Sequence, residues 1–353
     1  MAYTDIDDPS AYFQNLIYNG NTSSNRALTF DGNSNLQPDF SWVKCRSNAT
    51  NHQLIDSVRG VTKQLNSNLS NAETTDSTLF KSFDTNGITV GGGGTINDNG
   101  RTFASWNWKA GTSFTNDASA TGIGSIDSTG SVNTTSGFSI ITYTGTGSAA
   151  TVAHGLGVAP KMIINRTISA SKDWITYHAS LGATKFVELN TTDAAATSSD
   201  KFNNTEPTST VFSIESSSQN NTSGGTCLAY IFAEKKGYSK FFSYEGNSNV
   251  NGSYIHLGFS AAFIMVKPVD AADNWVMFDN KRLGFNSSTS PYNFAGANNS
   301  NVETTDTGQI DITSSGFKIR NSGGTVNKSS TYIGMAFAAS PFVTSSGIPN
   351  TAK

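Results

Sequence analysis

Charge is what this chain has least of. Lys, Arg, Asp and Glu make up only 14% of its 353 residues, against about a quarter in an ordinary soluble domain. The surface must therefore be built from Asn, Ser, Thr and Gly. With 23 basic and 26 acidic side chains the net charge is -3, and no Lys/Arg cluster stands out, so nothing favours nucleic acid or an anionic membrane as a partner. No apolar run approaches the length of a membrane span. Two cysteines, Cys45 and Cys227, fall at unrelated landmarks and read as free thiols in strands, which gives no sign of oxidising export. The opening MAYTDIDDPSAYFQ is acidic and lacks the basic-then-apolar order of a signal peptide. The four histidines, His52, His154, His178 and His256, are scattered, with no close ligand pair of the kind that zinc or iron sites use. His154 in AHGLGVAP has no serine elbow near it, and no carboxylate pair shows a glycosidase spacing. No enzyme chemistry and no cofactor are expected.

What the chain does have is a strand-rich block written three times. The first copy runs through QPDFSWVKCR (37–46), HQLIDSVRGVTKQLNSN (52–68) and TFASWNWKAG (102–111). The middle copy runs through APKMIINR (159–166), DWITYHASLGATKFVELN (173–190) and TCLAYIFAEKKG (226–237). The third runs through SAAFIMVK (260–267), NWVMFDNKRLG (274–284) and TYIGMAFAAS (331–340). The interval from Pro38 to Thr102 is nearly repeated from Pro160 to Thr226 and from Ala261 to Thr331. Apolar residues recur at a period of two or in short unbroken runs bounded by Gly, Asn, Asp and Ser, which is the signature of strands. The expected fold is all-β: three tandem antiparallel β-sandwich repeats of the jelly-roll or lectin-like kind.

The expected boundaries follow from these landmarks. Residues 1–11 form a lead, 12–111 the first repeat, 112–137 a linker rich in Gly, Ser and Thr, 138–237 the second repeat, 238–340 the third and 341–353 a C-terminal arm. Composition makes the linker a flexible coil that lets the first repeat swing, whereas the second and third repeats meet at KKGYSK as one rigid unit. The segments NAETTD, TDAAATSSD and NVETTD sit at matching positions and read as a helical turn or loop. Their Asp76, Asp200 and Asp306 suit turns better than calcium.

Comparing copies separates scaffold from candidate sites. Trp174 and Trp275 share a slot that His52 fills in the first copy. Asp56 with Arg59, and Asp279 with Arg282, stand three residues apart at matching bends and are expected to form structural ion pairs; the middle copy has His178 and Leu181 there. Trp106 and Trp108 alternate in SWNWKA and so share one face of a strand. Together with Trp174 and Trp275 they are candidate contacts for a glycan, since an indole plane matches the apolar face of a sugar. The Gly91–Gly94 run lacks the lysine and the strand-loop-helix setting of a phosphate cradle.

The opening IDDPSAYFQ, the runs PDFSWVKCR, DSVRGVTKQLNSN, FASWNWKAG, YTGTGSAATVAHGLGVAPKMII and DWITYHASLGATKFVELNTTDAAATSS, and the tail PFVTSSGIPNTAK together resemble a family of repeat-domain proteins carried by marine, cyanophage-like bacteriophages. The resemblance implies a virion structural protein, assembled in the host cytoplasm and located in the particle. It carries over no catalytic residue. The expected role is a capsid decoration or head-fibre component or a tail accessory subunit, with other virion proteins as partners and a homo-oligomer, most simply a trimer, as the assembly. The alternative is a tail-fibre-like adhesin that attaches to host surface glycans.

Overall fold

The computed structural model describes residues 3–282, 286, 291–323 and 325–350. The end of the third copy's middle landmark, Leu283 and Gly284, lies outside the described residues, as do residues 1–2 of the lead and 351–353 of the tail. The chain is all-β, with 43% of residues in strand and 4% in helix, and the sheets are antiparallel throughout.

Each copy forms a large sheet from strands in the same order. In the first copy the order is Phe13–Asn19, Thr102–Trp108, Phe40–Cys45, Gln53–Asp56. In the middle copy it is Phe138–Thr144, Thr226–Phe232, Met162–Thr167, Ile175–His178, and in the third Ser239–Glu245, Thr331–Pro341, Phe259–Pro268, Val276–Asp279. The registers agree as well. Phe40 faces Trp108, Met162 faces Phe232 and Phe263 faces Phe337 across the same strand pair. A smaller sheet accompanies each: Arg26–Thr29 with Gly87–Val90 and Phe80–Asp84, then Ala150–Ala153 with Val211–Ile214, then Tyr254–His256 with Gly316–Ile319 and Ile310–Thr313.

The large sheets are buried on both faces, so strands such as Phe40–Cys45 and Met162–Thr167 are buried at every position, their polar residues included, in place of alternating. One face meets the copy's own small sheet: Val43, Cys45 and Phe103 join Leu28, Ile88 and Val90 in one cluster. The other face meets the other two copies. Phe40, Trp42, Trp106 and Trp108 pack with Phe138, Ile164, Tyr230 and Phe232 and with Phe263, Met265, Met335 and Phe337 in a single shared core. Trp108, Phe232 and Phe337, one from each copy at the same slot, lie 5.6–6.4 Å apart in all three pairings. They mark an axis about which the three copies are arranged.

The segment 112–137, expected as flexible coil, is ordered. Thr112–Asn116 and Ser128–Asn133 form a hairpin that adds to the edge strand Phe138–Thr144. Asp117 caps the short turn Ala118–Thr121 and Gly122 closes it at φ 66. Composition predicted a coil because Gly, Ser and Thr bury little; the exposed edge of Phe138–Thr144 supplies the backbone partners that the segment alone lacks. The first copy is packed against the other two through the shared core. The tail is not a free arm either: Ser345 donates its amide to Asp7, and Asn350 donates its amide to Phe342.

Candidate functional site

The four tryptophans expected to face a glycan face no solvent. Trp106 and Trp174 are 0% exposed, Trp275 0% and Trp108 1%. An indole with no accessible face cannot stack on a sugar ring, so the assignment of Trp106, Trp108, Trp174 and Trp275 as glycan contacts is corrected: they join the copies together. Trp174 Nε1 donates to the Asn66 carbonyl of the first copy at 2.8 Å, and Trp275 Nε1 donates to the Glu188 carbonyl of the middle copy at 2.9 Å. His52, in the same slot, places Nε2 2.9 Å from the Gly296 carbonyl of the third copy, while its Nδ1 accepts from Trp42 Nε1. The imidazole thus reproduces the indole's donor, and each copy bonds to the one before it until the third closes on the first.

A second cycle runs beside this one. Lys44, Arg166 and Lys267 occupy one slot, two residues beyond Trp42, Ile164 and Met265, and all three are buried. Lys44 Nζ donates to the Ser300 carbonyl, Arg166 Nη2 to the Ser70 and Asn71 carbonyls, and Lys267 Nζ to the Thr192 carbonyl. Burial lowers Lys44 and Lys267 to about 8 and Arg166 to about 10, because their nearest partners are neutral carbonyls. The carbonyls lie at the start of the NAETTD-type segments or just before them, and the segments are also tied by backbone bonds: Glu73 to Ile168, Ala195 to Val269 and Glu303 to Arg46. Those segments form short strands, Thr74–Thr75, Ala196–Thr197 and Thr304–Thr307, and serve as straps between copies. Asp76 and Asp200 bond to Thr78 and Ser198, turn roles both, and Asp306 accepts from Gln309.

The paired aspartates and arginines lie on two of the three junctions. Arg59 Nε is 2.6 Å from Asp56, which also accepts from Tyr230 of the middle copy, and Arg59 Nη1 reaches Glu73 at 3.2 Å. Arg282 Nε is 2.5 Å from Asp279, which accepts from Trp106 of the first copy, and Arg282 Nη1 reaches Glu303 at 2.9 Å. At the third junction His178 Nε2 lies 3.1 Å from the Gly334 carbonyl, and Leu181 replaces the arginine. His52, His154 and His178 are buried, and burial holds them at about 3, 4 and 4, so they are neutral. Among the described residues no three His, Cys, Asp or Glu side chains converge as metal ligands.

Sequence reasoning missed Lys44, Arg166 and Lys267. The signal was present: a long cation at the same slot of a strand rich in apolar residues in all three copies.

Two concavities lie where one copy's edge strand meets the next copy. Beside Phe13–Asn19 a pocket of about 150 Å³ is narrowed by the Lys281–Asp31 ion pair and by the Gln14 amide, which donates to Ser34. Beside Phe138–Thr144 the hairpin 112–133 fills the space, with the Phe114 ring against Gly155. Beside Ser239–Glu245 a cleft of about 610 Å³ remains open, lined by Lys161, Glu234, Ser239, Lys240 and Gly258 and bordered by both chain ends through Tyr3 and Phe342.

A family profile described as a domain of unknown function, DUF7483, matches residues 8–341. The chain belongs to the DUF7483 family. No curated protein and no solved structure matches it. The DUF7483 match takes in all three copies, the hairpin and the straps, so the family unit is the whole closed arrangement and not a single copy.

Proposed function

We propose that this DUF7483 chain is a non-enzymatic structural protein of a bacteriophage particle, a capsid decoration, head-fibre or tail accessory component at the particle surface. In this reading the chain is three β-sandwich units of jelly-roll or lectin-like kind arranged as a trimer written in one polypeptide. The observation that carries the reading is the closed cycle of inter-copy bonds around Trp108, Phe232 and Phe337, which gives one chain three related faces about one axis. Such a shape matches a threefold or pseudo-threefold seat in a shell of other virion proteins. A weakly charged surface rich in hydroxyls and amides suits a permanent neighbour more than a charged, steered ligand.

The test is direct. Mass spectrometry of purified particles should find the chain, and electron cryo-microscopy should place its axis on a threefold or quasi-threefold position. Absence from particles, or labelling only at fibre tips, would overturn the reading. The adhesin alternative has lost its aromatic platform and rests on polar loops alone. A glycan array on the folded chain that shows a saccharide class bound would restore it.

A further inference from the structure

The open cleft beside Ser239–Glu245 has an occupied counterpart in the same molecule. In the middle copy the edge strand Phe138–Thr144 is paired residue by residue with Ser128–Asn133. The same hairpin sets Phe114 on Gly155, a glycine at φ 71 at the end of the small-sheet strand Ala150–Ala153. In the third copy the edge strand is Ser239–Glu245, and the matching glycine after Tyr254–His256 is Gly258, at φ 82. The equivalence of the two glycines is fixed by hydrogen bonds: His154 donates to Thr210 just as Leu257 donates to Ser315. Nothing lies within 4 Å of where a Gly258 side chain would start. The seat that Phe114 fills in one copy is vacant in the other.

We propose that this cleft takes a strand or hairpin from a different protein, which adds to the Ser239–Glu245 edge and places an aromatic side chain over Gly258. This proposal does not depend on the particle reading; it depends on the match between copies. The edge is available in alternate residues. Ser239 and Phe241 turn their amides away from the sheet, to Lys235 and to the Glu234 carboxylate, so Ser243 and Glu245 turn theirs outward too. Ser243 is exposed, and no protein group takes its outward amide among the described residues. Main-chain bonds to such an edge supply affinity, and a side-chain seat supplies selectivity. The occupant's charge follows from the walls: among the described residues Lys161 has no ion-pair partner, Lys240 is balanced by Glu234 at 2.7 Å, and the Asp5 carboxylate on the same wall lies against Lys236, accepting from its amide. An acidic strand fits. The built-in hairpin carries no Lys or Arg, and its two charges, Asp117 and Asp127, are acidic and lie in the connecting turn. Glu234 stands where the first copy has Ala110, and it swings off the Phe241 amide when a strand enters.

The experiment uses the full chain and, as probe, a synthetic peptide of residues 111–134. Fluorescence anisotropy should show saturable binding, and hydrogen exchange should show new protection of the Ser243 and Glu245 amides with Phe138–Thr144 unchanged. Ser243→Pro removes the outward amide and should weaken binding at least about tenfold. Phe114→Ala in the peptide should do the same. Lys161→Glu, an exposed change that leaves the backbone intact, should weaken binding several-fold and covers the case in which the proline variant does not fold. The proposal is overturned by no binding at about 1 mM peptide, which would make Glu234 and Lys240 simple guards of a sheet edge. It is also overturned by binding that all three changes leave unaltered. Self-association of the chain that Ser243→Pro abolishes would assign the cleft to a second copy and overturn a separate partner.

Discussion

Two junctions between copies are held by buried ion pairs and the third is not. Asp56 with Arg59 and Asp279 with Arg282 each draw in an aromatic donor from the neighbouring copy, whereas at the same place His178 meets a carbonyl and Leu181 packs on the apolar core. All three junctions nevertheless bury their tryptophan or histidine donor, and each is tied by an exposed strap through a backbone bond. Apolar packing and carbonyl bonds are thus common to all three junctions, and the charges are confined to two. In buried pairs generally, mutual attraction mostly offsets desolvation, while a lone survivor is costly.

The sharpest way to break the comparison is Asp279→Ala, which leaves Arg282 buried with only Glu303. Chemical denaturation should show a loss of about 3–5 kcal/mol. Importing the middle solution, Asp279→His with Arg282→Leu, should cost clearly less than the single change. If the double variant is as unstable as the single one, the charges are needed for closure after all.

Acid should weaken the ring from its histidines. His52, His154 and His178 titrate near 6.5 when unfolded but stay neutral in the fold down to about 3, 4 and 4. Below pH 6.5 the unfolded chain binds protons that the folded chain refuses, so stability falls with pH. At pH 5 the loss is roughly 2 kcal/mol per histidine, checked by denaturation midpoints at pH 7 and pH 5. His52→Gln should flatten part of that slope. The lysines act at the other end of the scale. Lys44 and Lys267 lose their protons near 8 in the fold and near 10.5 unfolded, so stability should rise from pH 8 toward 10 on their account, and Lys267→Met should reduce the rise.

The smallest effect concerns the axis. Among the described residues no group pairs with the buried Trp108 Nε1, while Phe232 and Phe337 fill the same slot with no polar atom. Trp108→Phe should change stability by less than about 1 kcal/mol, since the lost ring volume is offset by removal of an unpaired donor. A thermal melt would show it.

Much of this architecture was legible in the chain. Period-two runs and turn residues marked the strands, and the threefold repetition of PDFSWVK, PKMIINR and AAFIMVK aligned the sheets residue by residue. The tryptophans misled because an indole on a repeated strand reads alike whether its face meets a sugar or another copy; only burial separates the two. The linker misled for a related reason. Its Gly, Ser and Thr lack a fold of their own, and the template that orders them, the edge of Phe138–Thr144, lies outside the segment. The buried cations were hidden because a single lysine in a strand is ordinary, and only its recurrence at one slot gave it meaning.

The cycle of bonds through His52, Trp174 and Trp275 is closed within one covalent chain, so it cannot come apart on dilution as three separate subunits would. It also frees the three positions from one another. In a true trimer every substitution appears three times around the axis; here it appears once. One edge could then be sealed by an ion pair, the next by a hairpin, and the last left as an entrance.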